Sequence, residues 1–385
     1  MDNRTDPTFS NPTAQEPTNR MILNGLFQRR IINLEKGDIF SRQVALKSPD
    51  FDFGRVEGMM LGLAIGDALG ITTEGLLPNQ RSRLFGEIRS YIPNKYVDEP
   101  IGFPSDDTQL AFWTLDQLNQ DAKYLPENVA QRFSREKIFG MGRTVRSFLK
   151  NLDYGMEWYL SGPESAGNGA LMRIAPILIP HLRSGGSDLW VDTALLAMTT
   201  HNDRASTAAC LAWIAILWEL LEMNTAPPPE FWVDRYVEIA QDLEGETTYR
   251  ARNPNYPDFQ GPIWKFTQTE VTKAISRQID TVSACNTWYS GAYLLETIPC
   301  VLYILSQYAA DPQEAIVRAV NDTKDNDTIA AIVGSAVGAL HGKEAFPDIW
   351  LSNLSGRTTD EDDGKIFRIL NTAKKHFWDE ARGPE

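Results

Sequence analysis

The sequence predicts an all-α fold, a compact domain built from many helices. Apolar residues recur at the spacing of a helix face through most of the chain beyond residue 50. Segments that alternate between apolar and polar residues, as half-buried strands do, are scarce. The segment VEGMMLGLAIGDALG, residues 56–70, is apolar on every side, and such a helix in a globular protein is buried among other helices.

Four further segments predict the remaining buried helices. They are GNGALMRIAPIL at 167–178, TALLAMTTHNDRASTAACLAWIAILWELL at 193–221, ETIPCVLYILSQY at 296–308 and TIAAIVGSAVGALHG at 328–342. The stretches APPPEFW at 226–232 and RNPNYPDFQGP at 252–262 predict loops, because proline interrupts helices and strands. Gly58, Gly62 and Gly66 recur at every fourth residue and predict close helix packing in the core.

The composition limits what the protein can bind. The 385 residues carry 37 basic and 51 acidic side chains, a formal net charge of −14. This balance argues against nonspecific nucleic-acid binding and favours attraction of metal cations to clustered carboxylates. Three widely spaced cysteines form neither a disulfide framework nor a zinc motif. Because neither a signal peptide nor an uninterrupted membrane span is visible, we expect a soluble cytoplasmic protein.

The chain is expected to have two parts. Residues 1–50 form an N-terminal extension, which begins with polar, proline-rich sequence and is expected to be partly flexible. The segment MILNGLFQRRIINL, residues 21–34, carries apolar side chains that need cover from the body or from a partner. The extension is therefore a candidate partner-binding arm or a strap packed on the body. Residues 51–385 form the globular domain.

A first acidic cluster lies at the start of a predicted helix. In FPSDDTQLAF, residues 103–112, the adjacent Asp106 and Asp107 follow Ser105. Such residues commonly cap helices, since their oxygens accept hydrogen bonds from the free N–H groups of the first turn. Carboxylate and hydroxyl oxygens are equally the ligands that Mg²⁺ and Mn²⁺ prefer. This segment alone does not decide between a cap and half of a metal site.

A second cluster has the same arrangement far downstream. In NDTKDNDTIAAIVGSAVGAL, residues 321–340, Asp325, Asp327 and Thr328 lead into another small-residue apolar helix. Two such clusters, each at the mouth of a buried helix, make converging metal ligands more plausible than two separate caps. The aspartate-rich motif of helical isoprenoid synthases is disfavoured, because Leu110 stands where that motif needs a further acid.

Five segments in this order resemble the signatures of the ADP-ribosylglycohydrolases, the family related to dinitrogenase reductase-activating glycohydrolase. They are GLAIGDALGITTEG, FPSDDTQLAF, GNGALMRIAPI, HNDRA and KDNDTIAAIVGSAVGAL, within residues 54–342. The resemblance implies an all-α fold with a binuclear Mg²⁺ or Mn²⁺ centre at helix ends, so that residues 51–385 would be the catalytic domain. It also implies hydrolysis of bonds between ADP-ribose and protein side chains, most often the N-glycosidic bond to arginine.

The resemblance assigns roles to individual residues of this sequence. It implies metal ligands at Ser105, Asp106, Asp107, Asp325, Asp327 and Thr328. It implies catalytic roles for Glu74, Asp106, Asp107 and Asp325, around a metal-polarised water that attacks the anomeric carbon. It implies substrate contacts from Asp67, Gly167, Asn168, Gly169 and His201. Structural roles stay open beside these, such as a helix-end aspartate at Asp67 and an ordinary turn at the glycines.

The sequence departs from the family pattern in three places. Ser105 stands where threonine is usual, Thr323 and Lys324 replace a glycine pair, and Asn326 replaces a threonine. The added bulk leaves substrate preference open.

Three functions are compatible with the sequence. The first is a hydrolase acting on an ADP-ribosylated protein. The second is an immunity protein whose extension occludes an ADP-ribosyltransferase toxin, with or without hydrolysis. The third is an inactive metal-binding scaffold, which the retained oxygen donors disfavour.

Overall fold

The computed structural model describes residues 17–93 and 98–380 and confirms the all-α prediction. Within these residues the strands are β1 (Tyr249–Arg250) and β2 (Gln260–Gly261), which pair antiparallel as Tyr249 with Gly261 and Arg250 with Gln260. The α-helices are α1 (Asn19–Gln28), α2 (Gly54–Gly70), α3 (Pro78–Phe85), α4 (Asp106–Asp121), α5 (Pro126–Ser134), α6 (Arg143–Asp153), α7 (Trp158–Ser161), α8 (Asp188–Thr200), α9 (Arg204–Leu220), α10 (Pro229–Glu244), α11 (Ile263–Arg277), α12 (Thr281–Trp288), α13 (Leu294–Tyr308), α14 (Pro312–Asp322), α15 (Asn326–His341), α16 (Asp348–Ser352) and α17 (Lys365–Lys374).

The glycine-rich helices α2 and α15 form the centre of the fold and run antiparallel in backbone contact. A Cβ atom added at Gly62 would lie 2.8 Å from the carbonyl carbon of Gly334, and one added at Gly334 would lie 2.7 Å from that of Gly62. Only residues without a side chain allow two helices to approach so closely. Gly70, at the C-terminal end of α2, therefore lies against the backbone of Asp327 in the first turn of α15.

Further helices enclose this central pair. Helices α4 and α14 pack against α2, whereas α9, α13 and α14 pack against α15. Helix α10 lies on α9, and α11 packs on both α10 and α13. The buried side chains of these layers form one continuous hydrophobic core. This core fixes the helix ends that carry the acidic residues.

Two predicted helices differ from the structure. Residues 167–178 do not form one α-helix, because the chain there makes the 3₁₀ turns Leu171–Arg173 and Ala175–His181. Pro176 and Pro180 lack the N–H groups that an α-helix needs in its interior. The segment 193–221 divides into α8 and α9, since the side chain of Asp203 accepts a hydrogen bond from the Ser206 N–H and caps α9.

The described part of the N-terminal extension packs on the body. Leu23 and Leu26 of α1 are buried, and the side chain of Asn19 donates to Asp192 at 2.7 Å. Further along, the Glu35 N–H donates to the carbonyl of Leu243 at the end of α10. Residues 1–16, the most polar part of the expected flexible arm, lie outside the described residues. Binding of a toxin or another partner by the extension, residues 1–50, stays a prediction.

One described helical stretch, Gly54–Thr73, is long and apolar enough to cross a membrane, judged by length and composition alone. In the structure 89% of the apolar part of this stretch is buried inside the protein, where α15 and other helices pack against it. Its composition is therefore that of a core helix.

Candidate metal centre and active site

Three helix ends meet at one place, and a buried aspartate ties two of them together. Asp67, near the C-terminal end of α2, has no solvent exposure. Its carboxylate accepts hydrogen bonds from the N–H of Ser105 and from both the N–H and the hydroxyl of Thr108, at 2.6–3.0 Å. These donors belong to the beginning of α4. Asp67 therefore fixes the start of α4 against the end of α2, as a helix-end aspartate bonded to backbone would.

The two acidic clusters of the sequence converge at this junction. One carboxylate oxygen from each of Asp67, Asp107 and Asp327 lies within 4.8 Å of the other two. A second group with the same spacing consists of Glu74, Asp325 and Asp327. Asp327 belongs to both groups, so two neighbouring cation positions could share it. The donor set consists of hard oxygen ligands, which suit divalent cations such as Mg²⁺.

Two buried oxygen atoms indicate that the cluster fits a cation. Oδ1 of Asp107 and Oδ1 of Asp327 are buried and have no hydrogen-bond partner among the described residues. A buried carboxylate oxygen without a partner is costly, and a bound cation removes that cost. The other oxygen of Asp107 accepts from the hydroxyls of Ser105 at 3.1 Å and Thr328 at 3.4 Å. The acidic cluster could therefore hold metal ions.

The remaining predicted ligands lie around these groups. The Ser105 hydroxyl also accepts from the Asp107 N–H and caps α4, so capping and clustering occur together here. Asp106 is 9% exposed and belongs to neither group of three. A Cβ added at Gly140 would lie 3.3 Å from its Oδ1. The structure therefore brings Asp107, Asp325 and Asp327 together and leaves Asp106 at the side.

Burial raises the pKa of every aspartate in the cluster, and repulsion between neighbouring carboxylates raises most of them further. The pKa is raised to about 6 for Asp67, about 7 for Asp325 and about 8 for Asp106. Burial, with repulsion from the adjacent aspartates, also raises the pKa of Asp107 and Asp327 well above the usual range. It is therefore costly for all of these carboxyls to be ionised at the same time unless a cation compensates their charge.

The loop Gly167–Gly169 lies beside the second group of carboxylates. The side-chain amide of Asn168 donates to Oδ2 of Asp325 at 2.6 Å and to the Thr297 hydroxyl at 3.1 Å. Asn168 thus orients a carboxylate of the cluster. His201 lies beneath the loop, where a Cβ added at Gly169 would approach its Cε1 to 2.9 Å. Burial lowers the pKa of His201 to about 3, so the imidazole is neutral at physiological pH.

A segment that the sequence did not single out, residues 289–293, connects the two halves of the site. The carbonyl of Ser290 accepts from the Asp325 N–H, and the carbonyl of Ala292 accepts from the Asn168 N–H. Tyr289 and Ser290 have φ values of 81° and 44°, in the left-handed region that non-glycine residues rarely adopt. No residue pattern signals this role, because backbone atoms perform it.

Comparisons with known proteins decide the family. The family model for ADP-ribosylglycohydrolase matches residues 48–378, most of the chain. The chain belongs to the ADP-ribosylglycohydrolase family. It is 24% identical over 326 residues to ADP-ribosyl-[dinitrogen reductase] glycohydrolase of Rhodospirillum rubrum, covering 83% of this chain and 96% of that protein. It is 25% identical over 322 residues to ADP-ribosylarginine hydrolase Tri1 of Pseudomonas putida, covering 80% and 76%.

A solved structure agrees with the sequence matches. A chain of an ADP-ribosylglycohydrolase-related protein complex superimposes with a TM-score of 0.61 at 25% identity, covering 84% of this chain and 97% of that chain. Membership of the ADP-ribosylglycohydrolase family supports an ADP-ribosyl hydrolase activity. The substrate linkage does not follow from matches at this identity.

The departures of this ADP-ribosylglycohydrolase from the family pattern have distinct structural contexts. Asn326 is buried, and its amide donates to the Gly70 carbonyl and the Thr73 hydroxyl, which ties α15 to the end of α2. Lys324 donates to the Tyr289 hydroxyl at 2.7 Å, with its ammonium 4.2 Å from the centre of that ring. The Tyr289 side chain thus fixes the position of the ammonium, whose positive charge partly offsets the rise in the pKa of Asp325 that burial causes.

Proposed function

We propose that this protein is a metal-dependent hydrolase that removes ADP-ribose from modified protein side chains, most of all from arginine. The observation that carries the proposal is the convergence of the two acidic clusters at the ends of α2, α4 and α15. Family membership supplies the reaction class, and the name of the Pseudomonas putida relative supports the arginine linkage.

Two divalent cations, Mg²⁺ or Mn²⁺, are the proposed cofactors. Asp107 and Asp327 would hold one together with the Ser105 and Thr328 hydroxyls, and Asp325 with Asp327 would hold the other. When bound, such cations would polarise a water molecule and lower its pKa toward neutrality. Asp106 would complete the ligand sphere from the side. Exposed Glu74, whose carboxylate reaches Asp325 and Asp327, would accept a proton from the attacking water or serve as a further ligand.

The remaining residues would position the substrate. The Gly167 and Gly169 backbones could approach the diphosphate closely, because neither carries a side chain. Asn168 would act by orienting Asp325. Neutral His201 would support the loop Gly167–Gly169 by packing against Gly169. Asp67 would keep the start of α4 in place. A guanidinium group would be attracted by the surplus of carboxylates, which favours an arginine-linked substrate.

The test is the release of ADP-ribose from an arginine-ADP-ribosylated protein, with Mg²⁺ and after its removal with EDTA. We expect release that depends on the metal and that falls by about 10- to 100-fold or more in Asp106→Ala/Asp327→Ala. Asp121→Asn, at the opposite end of α4, is the matched control and should retain activity. Wild-type turnover in the double variant would exclude this mechanism, and release from another linkage alone would exclude the arginine preference.

A further inference from the structure

The charge of the chain is distributed unevenly. Residues 123–150 contain seven basic and two acidic side chains, so this segment carries a charge of +5 within a chain of net charge −14. All other residues together therefore carry −19. A basic segment on a strongly acidic protein attracts anionic partners and orients them as they approach.

Helix α6 presents three of these basic side chains to solvent. Arg143, Arg146 and Lys150 are exposed, and their spacing places them on one face of the helix. The opposite face buries Val145 and Phe148. Within residues 17–93 and 98–380, no carboxylate forms an ion pair with any of the three cations. We name these three residues the α6 basic face.

Exposed apolar side chains continue this surface toward α7. Tyr154 is 72% exposed, Met156 40% and Leu160 43%. The Lys150 ammonium lies 5.5 Å from the centre of the Tyr154 ring, so the basic face and these apolar side chains adjoin each other. Exposed apolar patches rimmed by polar residues mark protein-docking surfaces. The combination fits a polypeptide that carries acidic residues and also offers some apolar contact.

The position of α6 relates this surface to the candidate site. The Thr144 hydroxyl in its first turn lies 2.9 Å from the Ser165 hydroxyl, two residues before Gly167. Gly140, just before α6, lies close to Asp106, since a Cβ added there would be 3.3 Å from the Asp106 Oδ1. A polypeptide bound to the α6 basic face would therefore extend past the rim of the site.

We propose that the α6 basic face binds an acidic segment of the modified protein that flanks the ADP-ribosylated side chain. This rests on the proposed function, which supplies the modified protein as substrate. The surface selects which modified proteins are processed, because the proposed metal centre would act on the ADP-ribosyl linkage that all of these proteins share. A nucleic acid is the weaker occupant, since the surrounding charge of −19 repels a long polyanion, whereas a short acidic segment stays within the basic region.

The test compares two matched peptides that carry ADP-ribosyl-arginine, one flanked by glutamates and one by glutamines, with free ADP-ribosyl-arginine as a third substrate. In Arg143→Gln/Arg146→Gln/Lys150→Gln we expect KM for the glutamate peptide to rise about tenfold, with kcat unchanged. KM for the other two substrates should stay within about twofold. The wild-type preference for the glutamate peptide should fall as salt is added.

The control removes three exposed cations from α11, in Lys265→Gln/Lys273→Gln/Arg277→Gln, and changes the net charge equally. An equal effect in this control would overturn the proposal, as would an unchanged KM in the α6 variant. Binding of the unmodified, fluorescently labelled glutamate peptide is measured in parallel, so the surface is tested even if the arginine linkage is not cleaved. Displacement of that peptide by single-stranded RNA at lower concentration than by unlabelled peptide would assign the surface to nucleic acid and overturn the proposal.

Discussion

Adding a single methyl group at the contact between α2 and α15 should destabilise the protein. A Cβ added at Gly66 would lie 2.8 Å from the Ala331 nitrogen and nearer still to the Ala330 carbonyl group. Ordinary contacts at a Cβ begin near 3.4 Å. Because the opposing atoms are backbone, no side-chain rotation can relieve the overlap, and the two helices would have to separate.

The magnitude follows from two opposing effects in Gly66→Ala. Overpacking of a well-packed core costs about 3 kcal/mol at the upper end of its usual range. The better helix propensity of alanine offsets about 1 kcal/mol of this. We therefore expect the free energy of unfolding to fall by about 2 kcal/mol. Since Gly66 precedes Asp67, the displaced helix end should also weaken stabilisation by Mg²⁺.

The assay is equilibrium denaturation in urea, with and without Mg²⁺. Gly25→Ala is the matched control, because Gly25 lies within α1 and a Cβ there meets nothing within 4 Å. The control should gain about 0.5–1 kcal/mol from helix propensity alone. If Gly66→Ala is as stable as the wild type and responds equally to Mg²⁺, the close packing has no role in forming the site.

Three further predictions concern the charges. Asp327→Asn should raise the stability of the metal-free protein by about 1–2 kcal/mol by relieving repulsion, and Mg²⁺ should no longer stabilise it in thermal denaturation. His201 has its pKa lowered from 6.5 to about 3, so its contribution to stability is complete above pH 6.5 and is lost as pH falls toward 3. His201→Gln should remove several kcal/mol of that acid sensitivity, and an identical pH profile in urea denaturation would contradict the burial argument. Tyr289→Leu should free Lys324 to approach Asp325 and weaken Mn²⁺ binding several-fold in calorimetry, and adding Lys324→Met should restore it.

The two acidic clusters were visible in the sequence because each of them is a local feature, and their shared form led us to expect that they converge. Aspartates at the starts of helices and glycines at every fourth residue are visible in the sequence, and they predicted both the buried helices and the meeting of Asp107 with Asp327. The glycine spacing did not predict that α2 packs against α15, since any other helix could pack against the glycine face of α2.

Other features were missed or left open for different reasons. The connection through Ser290 and Ala292 uses backbone carbonyls, which every residue carries. The segment at 167–178 was predicted as a helix from its apolar content, although Pro176 and Pro180 favour the 3₁₀ turns that form. The cover of Leu23 by the body was one of two alternatives, because an apolar face does not reveal what covers it.

The acidic cluster lies at one end of the backbone contact between α2 and α15, and this contact opposes the repulsion within the cluster. Carboxylates gathered without solvent repel one another, and this repulsion tends to drive apart the helices that carry them. Asp67 follows Gly66 directly, and Asp327 lies one helical turn before Ala330, so this repulsion acts at one end of the contact between α2 and α15. Backbone contact there opposes separation, and the positive N-terminal ends of α4 and α15 reduce the repulsion. The same repulsion is a source of cation affinity. The rigid packing prevents the carboxylates from moving apart, so the repulsion persists until a divalent ion neutralises it. A variant that loosens the contact should therefore lose cation affinity even though every ligand is retained.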